Sequence, residues 1–230
     1  MTDYNLSALK KCELFEGIGK EELKALMNCL KPRIQSYERN DFVVRNGDSL
    51  DSLGIVLDGE ASVFKESLSG NRILIKNLSI GEMFGEIAAF ARQKEWPALV
   101  QANTPLTVCF IPQNRIVGQC ENICSWHNIM TTNMLRVVSE RALLLSKKME
   151  YISIKTMRAK LCTFIYEHYL KKGTVTLVLP MKRGQLADFL NVSRPSMSRE
   201  LSRMKDEGII DYHLSTVKIL DLEVLKSYCE

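Results

Sequence analysis

Histidine is scarce in this chain of 230 residues, which has three: His127, His168 and His213. The first 126 residues therefore cannot supply the clustered histidine and carboxylate ligands that a metal-dependent oxygenase or isomerase barrel needs. The sequence also lacks a P-loop, a GxGxxG motif and any Ser-His-Asp or Cys-His arrangement. These absences predict that the protein is not an enzyme.

Long apolar runs are absent as well, because no stretch approaches the roughly 18 residues of a membrane span. The segment from Met1 to Lys20 lacks the basic start and apolar middle of a secretory signal. We therefore expect a cytoplasmic protein without a membrane partner.

The seven cysteines follow no regular spacing, which in a cytosolic chain predicts thiols and not a disulfide framework. Cys120, Cys124 and His127 are spaced so that one face of a helix would present all three to a metal. A fourth ligand is missing nearby, and cysteine is among the most buried residue types. We therefore predict buried structural thiols, no metal site and no cofactor.

The positive charge of the chain is concentrated in its last third. The net charge is +4, and the residues from Lys155 onward contain 13 Lys and Arg against 9 Asp and Glu, so the preceding part is neutral. The length gives room for two domains, each with its own core. An excess of positive charge in one domain is typical of phosphate contact.

Residues 181–211 predict two short amphipathic helices joined by a tight turn. Apolar residues of the first helix recur at helical spacing, at Leu186, Ala187 and Leu190. Ser193 is a suitable N-cap for the second helix, and Pro195 lies in its first turn, where the missing N–H costs little. The pattern indicates a helix-turn-helix.

The second of these helices has one apolar stripe and one polar face. The stripe consists of Met197, Leu201 and Met204, at i, i+4 and i+7. The hydroxyl and guanidinium groups outside the stripe suit base edges and phosphates. They belong to Arg194, Ser196, Ser198, Arg199, Ser202 and Arg203. We predict DNA recognition; the alternative is a solvated helix in another kind of helical domain.

The first 115 residues have a different pattern. An amphipathic helix is predicted around Lys20 to Leu30, and turn signals such as Asn46-Gly47-Asp48 and Asp58-Gly59-Glu60 follow at a spacing of about 11 residues. The runs LGIVLDGEASVFK and RILIKNLSIG have the β-branched content of strands. This spacing is typical of an antiparallel barrel or sandwich.

A long helix is predicted after the β-rich region, because residues 123–151 contain neither glycine nor proline. Its apolar residues include Met130, Met134, Val137, Val138, Leu144, Leu145 and Ile152. A long helix with an apolar stripe usually pairs with a copy of itself. We predict a homodimer with Met130, Met134, Val137 and Leu144 at the interface; the alternative is a helix that folds back on its own barrel.

The order of these parts resembles the cyclic AMP receptor protein/FNR (Crp/Fnr) family of bacterial transcription regulators. VSRPSMSRELSRMKDEGII matches the recognition helix of the family, and IGEMFGEIAAF, from Ile80 to Phe90, matches the phosphate cassette of the cyclic-nucleotide-binding barrel. Two short strands around Leu214-Ser215-Thr216 and a helix capped by Asp221 complete a winged helix. The resemblance covers essentially the whole chain.

The resemblance implies an α+β fold with three parts. Residues 1–122 form an effector-binding double-stranded β-helix with N-terminal helices, 123–154 a dimerisation helix, and 155–230 a winged helix-turn-helix domain. It further implies a sequence-specific regulator that binds near-palindromic double-stranded DNA as a homodimer. RNA polymerase would be a further partner if the protein is an activator.

The base-contacting positions of the family fall here on Arg194, Ser198 and Arg199, with Ser196 beside them. Arg199 matches the guanine-reading arginine, whose geometry is bidentate to O6 and N7. Pro195 stands where many relatives have a glutamate that accepts from cytosine, so the base pair that it faces stays open. Lys182, Arg183 and Arg203 complete the predicted DNA-binding set.

The effector site departs from the family at the phosphate. Phe84, Gly85 and Glu86 match the start of the cassette, but Trp96 and Pro97 occupy the positions of the Arg-Ser pair that holds the cyclic phosphate. A buried anion without a cationic partner would cost several kcal/mol. The sequence therefore predicts that cyclic AMP does not bind.

A second departure concerns the base of the nucleotide. The polar pair of the family that faces adenine corresponds to Leu143 and Leu144. The cysteine cluster of oxygen-sensing relatives and the barrel histidine of a haem sensor are missing too. We predict an effector that is less charged and more apolar than a cyclic nucleotide; the alternative is a purely structural barrel without a ligand.

Overall fold

The computed structural model describes residues 3–67, 70–92, 94–117 and 125–229. The helices are α1 Asp3–Leu9, α2 Lys20–Leu30, α3 Glu86–Ala89, α4 Gln113–Val117, α5 Ser125–Ser153, α6 Met157–Lys172, α7 Arg183–Phe189, α8 Arg194–Asp206 and α9 Leu222–Ser227. The strands are β1 Arg33–Tyr37, β2 Phe42–Val44, β3 Ser52–Asp58, β4 Ala61–Glu66, β5 Arg72–Leu78, β6 Met83–Phe84, β7 Leu99–Ala102, β8 Leu106–Pro112, β9 Thr176–Val178, β10 Ile210–His213 and β11 Thr216–Ile219.

The described chain divides into two compact units, Met1–Glu140 and Arg141–Glu230. The division into parts 1–122, 123–154 and 155–230 stays a prediction. The predicted α+β fold, with a β-rich N-terminal part and a helix-turn-helix at the C-terminal end, is confirmed.

The first unit is built around two antiparallel four-stranded sheets. Their strand orders are β1-β8-β3-β6 and β2-β7-β4-β5. Because successive side chains point to opposite faces of a strand, β3 and β8 contribute residues to two separate cores. Val56, Val108 and Phe110 point between the sheets, whereas Ile55 and Cys109 point outward. The predicted antiparallel barrel is therefore confirmed, and both faces of its central strands are covered.

Helices cover the outer face of the first sheet. The apolar face of α2, with Leu23, Leu26, Met27 and Leu30, is buried as predicted. It shares a core with α1, α4 and the N-terminal part of α5. This core excludes water from the outer face of the first sheet. The side chains between the two sheets form a separate core, which is the interior of the barrel.

The N-terminal part of α5 packs on its own barrel unit, which corrects the predicted dimer interface. Met130, Met134 and Val137 are at most 4% exposed and lie in the same core as Leu14 and Phe15. Asn133 donates to the backbone carbonyls of Leu14 and Glu16, at 3.1 and 2.8 Å. These three apolar residues cannot contact a partner, and the alternative of a helix folded back on its own barrel is correct for this face. Leu144 is 48% exposed.

The second unit contains the predicted winged helix. α7 and α8 form the helix-turn-helix, and the order β10-β11-β9 forms the small sheet of the wing. The turn between β10 and β11 is shorter than predicted, because Thr216 already pairs with His213. Asp221 Oδ1 accepts from the Val224 N–H at 3.0 Å, which confirms the predicted cap of the last helix. α6 and β9 were not predicted.

The described cysteines occur as thiols and not in disulfides, as predicted. Burial raises the pKa of Cys109 to about 12 and that of Cys162 to about 12, so both stay protonated at neutral pH. Cys120 and Cys124 lie outside the described residues. Within the described ranges no group of three metal-ligating side chains occurs.

Candidate DNA-binding surface and barrel pocket

Helix α8 buries one stripe and exposes the other face, as the sequence predicts. Met197 and Met204 are fully buried and Leu201 is 5% exposed. The Ser193 side chain accepts from the Ser196 N–H at 3.3 Å and caps the helix. The exposed residues of α8 on the opposite face are Arg194, Pro195, Arg199, Ser202 and Arg203.

A short chain of hydrogen bonds organises the first turn of α8. The Ser193 hydroxyl donates to Ser196 Oγ at 2.8 Å, and Arg199 Nη2 donates to the same oxygen at 3.0 Å. A guanidinium has five N–H donors, so most of the donors of Arg199 are left for another acceptor. Ser198 is half-buried beside it. The predicted base-reading residues therefore lie together in the first two turns of α8, and Ser196 accepts a hydrogen bond from Arg199.

The other predicted DNA contacts, Lys182, Arg183 and Arg203, lie in the same domain as α8. The guanidinium of Arg183 stacks over the ring of Tyr212 at 4.7 Å, and the hydroxyl of Tyr212 is 3.0 Å from Ser202 Oγ on α8. Lys182, the N-cap of α7, is exposed. Arg203 is 70% exposed, with Nη1 3.7 Å from the Glu200 carboxylate. Arg183 is thus linked to the exposed face of α8 through Tyr212, and Arg203 is part of that face.

In the barrel, an indole ring fills the position above the cassette glycine. Gly85 has a left-handed φ of +83° directly before α3, and a Cβ built on it would lie 2.2 Å from the outer ring of Trp96. The Trp96 and Phe84 rings are 5.7 Å apart, and Trp96 is 5% exposed. The carboxyl of Glu86 is buried in the first turn of α3. The backbone cradle of the cassette is therefore occupied by a side chain of the protein.

The backbone fixes Trp96 in this position. Its N–H donates to the Asp48 carbonyl at 2.8 Å, and its carbonyl accepts from the Gly47 N–H at 3.0 Å. The next residue, Pro97, is exposed. Of the two residues that replace the expected Arg-Ser pair, one is therefore inside the barrel and the other on its surface.

A cleft of about 250 Å³ opens between β1 and β2, which lie at the edges of the two sheets. Trp96 and Phe110 line it, and the Arg33 guanidinium stands 5.4 Å from the Phe110 ring centroid. Tyr37 also lines the cleft; its burial raises the pKa of its hydroxyl, although nearby Arg33 opposes this shift. The cleft thus combines aromatic rings, one guanidinium and the carboxylates of Asp48 and Asp51, and it borders the indole that fills the cassette.

Leu143 and Leu144 belong to the second unit and are 71% and 48% exposed.

In the described residues no helix is long and apolar enough to span a membrane. Helix α6 contacts the helix-turn-helix through two side chains that the sequence did not single out. Arg158 contacts Glu200 on α8, and Lys160 contacts the carbonyl of Leu190, the residue that ends α7. Thr156 as N-cap and Gly173 as a left-handed C-cap were the available signals for this helix.

Two family models match the chain: Cyclic nucleotide-binding domain over residues 34–122, and Crp-like helix-turn-helix domain over residues 159–228. The cyclic AMP receptor protein of Thermus thermophilus is 20% identical over 219 residues, which cover 95% of this chain and 97% of the relative. The transcriptional activator protein FnrL of Cereibacter sphaeroides is 24% identical over 181 residues, which cover 76% and 71%.

A solved structure supports the same fold. The crystal structure of the Thermus thermophilus catabolite activator protein aligns with a TM-score of 0.54 at 18% identity. The alignment covers 94% of this chain and 97% of the other.

Proposed function

Because the chain belongs to the Crp/Fnr family of transcription regulators, we propose that it is a homodimer that reads a near-palindromic operator. Each protomer inserts α8 into the major groove, with Arg199 reading a guanine and Lys182, Arg183 and Arg203 on phosphates. The observation that supports this most strongly is the face of α8 that exposes Arg194, Arg199 and Arg203 opposite a fully buried stripe. Groove-reading helices show this division between a packed and a polar face.

Selection of bound DNA from a random library with the purified full-length chain tests this function. We expect two inverted half-sites whose centres are about 10 base pairs, or 34 Å, apart, each with an essential G·C pair. Arg199→Ala serves as the matched variant, because it should lose the preference at that pair only. Enrichment of no sequence at all would refute specific recognition.

The exposed face of α5 supports the homodimer. Its residues repeat with the 3.5-residue spacing of a coiled coil, at Leu135, Val138, Ala142, Leu145, Met149 and Ile152. Four of them, Leu135, Leu145, Met149 and Ile152, are 54–70% exposed. Val138 is half-buried and packs in part against the core of the first unit. An apolar stripe with this repeat is best buried against the same stripe of a second copy. We therefore propose this stripe as the dimer seam, in place of the face that contains Met130, Met134 and Val137.

Cyclic AMP is not the effector in this proposal. A cyclic phosphate in the cassette would have to displace the Trp96 indole from above Gly85, and it would find no arginine at that position. The phosphate would lack a cationic partner, and the contacts of the buried Trp96 ring would be lost. Both effects oppose binding.

Calorimetry with cyclic AMP and cyclic GMP checks this, and tryptophan emission gives a second readout. Trp96 and Trp126 are the two tryptophans of the chain, so a Trp126→Phe variant reports on Trp96 alone. We expect no heat and no change in emission at ligand concentrations up to millimolar. Saturable binding at micromolar cyclic nucleotide would contradict the proposal.

A small effector of another class would enter the cleft between β1 and β2. The Arg33 guanidinium can form a bidentate pair with a carboxylate, and Phe42 and Phe110 offer aromatic walls. A small aromatic acid would pair with Arg33 and not with Asp48 or Asp51, and in the cleft it would touch Trp96 and so reach the cassette. It is more apolar than a cyclic nucleotide, as predicted, but it is not less charged. Benzoate is a suitable probe: it should shift Trp96 emission and operator affinity in the Trp126→Phe protein, and Arg33→Gln should abolish both shifts. If neither changes, a barrel without a ligand is the better interpretation.

A further inference from the structure

One arginine of α6 holds the recognition helix at two places. Arg158 Nε donates to Glu200 Oε1 at 2.6 Å, in the middle of α8. Its Nη1 and Nη2 donate to the two oxygens of Glu207, the C-cap of α8, at 2.6 and 2.8 Å. The two carboxylates are seven residues apart, or about 10 Å along a helix. A single guanidinium therefore spans almost two turns of α8.

The surroundings make the contact with Glu200 stronger than an ordinary surface ion pair, whereas the Glu207 side chain is 44% exposed. The side chains of Arg158 and Glu200 are 19% and 13% exposed, so solvent and salt screen the pair little. The Tyr228 ring lies 5.0 Å from the guanidinium carbon. Arginine presents its donors in a rigid planar fork, so paired carboxylates define a direction as well as a distance.

A second cation of α6 holds the end of the other helix. The Lys160 side chain is 7% exposed, and its Nζ donates to the Leu190 carbonyl at 3.1 Å. Leu190 is the C-cap of α7, where carbonyls without helical partners favour a cation. Two neighbouring cations of α6 thus contact the two helices of the helix-turn-helix, one each.

We propose that Arg158 is a positioning residue for DNA reading, which sets the angle and register of α8 without touching DNA. The inference rests on the proposed role of α8 as the reading helix. Glu200 links the two functions, because its second oxygen faces Arg203, a predicted phosphate contact, at 3.7 Å. With Arg158 in place, Glu200 is paired and Arg203 can extend toward a phosphate. Without Arg158, the half-buried Glu200 carboxylate would draw Arg203 inward and tilt α8.

The test compares binding to the selected operator with binding to a scrambled duplex, for the full-length chain at fixed salt. Arg158→Met should reduce operator affinity about tenfold and scrambled-DNA affinity much less, so that discrimination falls. Adding Glu200→Gln should restore part of the loss, because the carboxylate that captures Arg203 is then gone. Lys171→Met is the matched control: this exposed lysine lies in the last turn of α6, and its removal should leave discrimination unchanged.

Two milder variants keep the proposal testable if Arg158→Met unfolds the domain. Arg158→Lys retains the charge but not the fork, and Glu207→Gln retains the size but not the charge; both should give intermediate discrimination in folded protein. Discrimination within twofold of wild type in all folded variants would overturn the proposal, provided that Arg199→Ala loses its preference. If Arg199→Ala also binds like wild type, the assignment of α8 as the reading helix fails, and the positioning role fails with it.

Discussion

Helices α8 and α5 differ in how much of their apolar surface is buried. In α8 the stripe Met197, Leu201 and Met204 packs in the core, and the opposite face is polar. In α5 the residues Met130, Met134 and Val137 lie in the core of the first unit, but other apolar residues of the helix stay exposed.

The difference comes from the number of apolar stripes on each helix. Helix α8 has one, and charged or hydroxyl residues fill the rest of its surface. Helix α5 has two: the stripe of Met130, Met134 and Val137, and the adjacent stripe that begins at Leu135 and continues through Leu145 to Ile152. A helix with one stripe has one place to bury it. With two stripes, one can pack on the chain itself while the other stays available for a partner.

The largest expected effect breaks the inner stripe of α5. Val137→Asp places a carboxylate in a core where the native side chain is 2% exposed, so the free energy of unfolding should fall by several kcal/mol. Leu143→Asp, at a position 71% exposed, should change it by less than about 0.5 kcal/mol. Urea denaturation of both variants measures the difference. Equal stability of the two would place the inner stripe on the surface.

The outer stripe should affect DNA binding and not the fold. Leu145→Asp with Met149→Asp should leave each protomer folded but unpaired. Operator affinity should fall about 100-fold or more, because a monomer has only one reading helix and cannot bind both half-sites at once. Fluorescence anisotropy with a two-half-site duplex measures this loss. A single half-site is the matched substrate, and there the variant should bind as well as wild type. An affinity within threefold of wild type on the full operator would rule out the seam.

The exposed face of α8 is tested by Arg199→Ala. Loss of the bidentate contact should cost about 1–3 kcal/mol at the preferred site and relax the preference at one base pair. Competition binding with operators that vary at that pair measures the effect. A preserved preference would move the reading role to another residue of the turn.

The smallest effect concerns the cations around α8. Arg203→Ala and Lys182→Ala should weaken binding to all sequences alike, and each should reduce the slope of log K against log salt by about 1. Titrations between low and moderate salt, on operator and scrambled DNA, check both statements. A change in sequence preference would instead indicate a base contact.

The sequence was sufficient to predict the winged helix but not helix α6. The winged helix was predicted because each local signal agrees with its neighbours, from the Ser193 cap through the Met197 stripe to the Asp221 cap. Helix α6 was missed because all of Ala159–Ile165 is buried, so no polar face marks a helical period. The roles of Arg158 and Lys160 went unrecognised with it, since both depend on contacts with helices that follow much later in the chain.

The barrel pocket illustrates a different limit. Trp96 could be recognised as the wrong residue for a phosphate, because the chemistry of an indole is visible in the sequence. That the indole lies against Gly85 depends on the path of the chain from Asp48 to Trp96, which backbone hydrogen bonds fix. Likewise, the cleft between β1 and β2 depends on long-range strand pairing, which places these two consecutive strands at the edges of different sheets.

Helix α5 packs one face in its own core, and we propose that its other face contacts a second copy. Sedimentation equilibrium of the wild type, Leu145→Asp and Leu143→Asp at micromolar concentration tests this proposal, because these two exposed leucines lie on the same helix, one on the seam and one off it. We expect a dimer for the wild type and for Leu143→Asp, and a folded monomer for Leu145→Asp. A monomeric wild type, or a Leu145→Asp protein that remains a dimer, would contradict the claim.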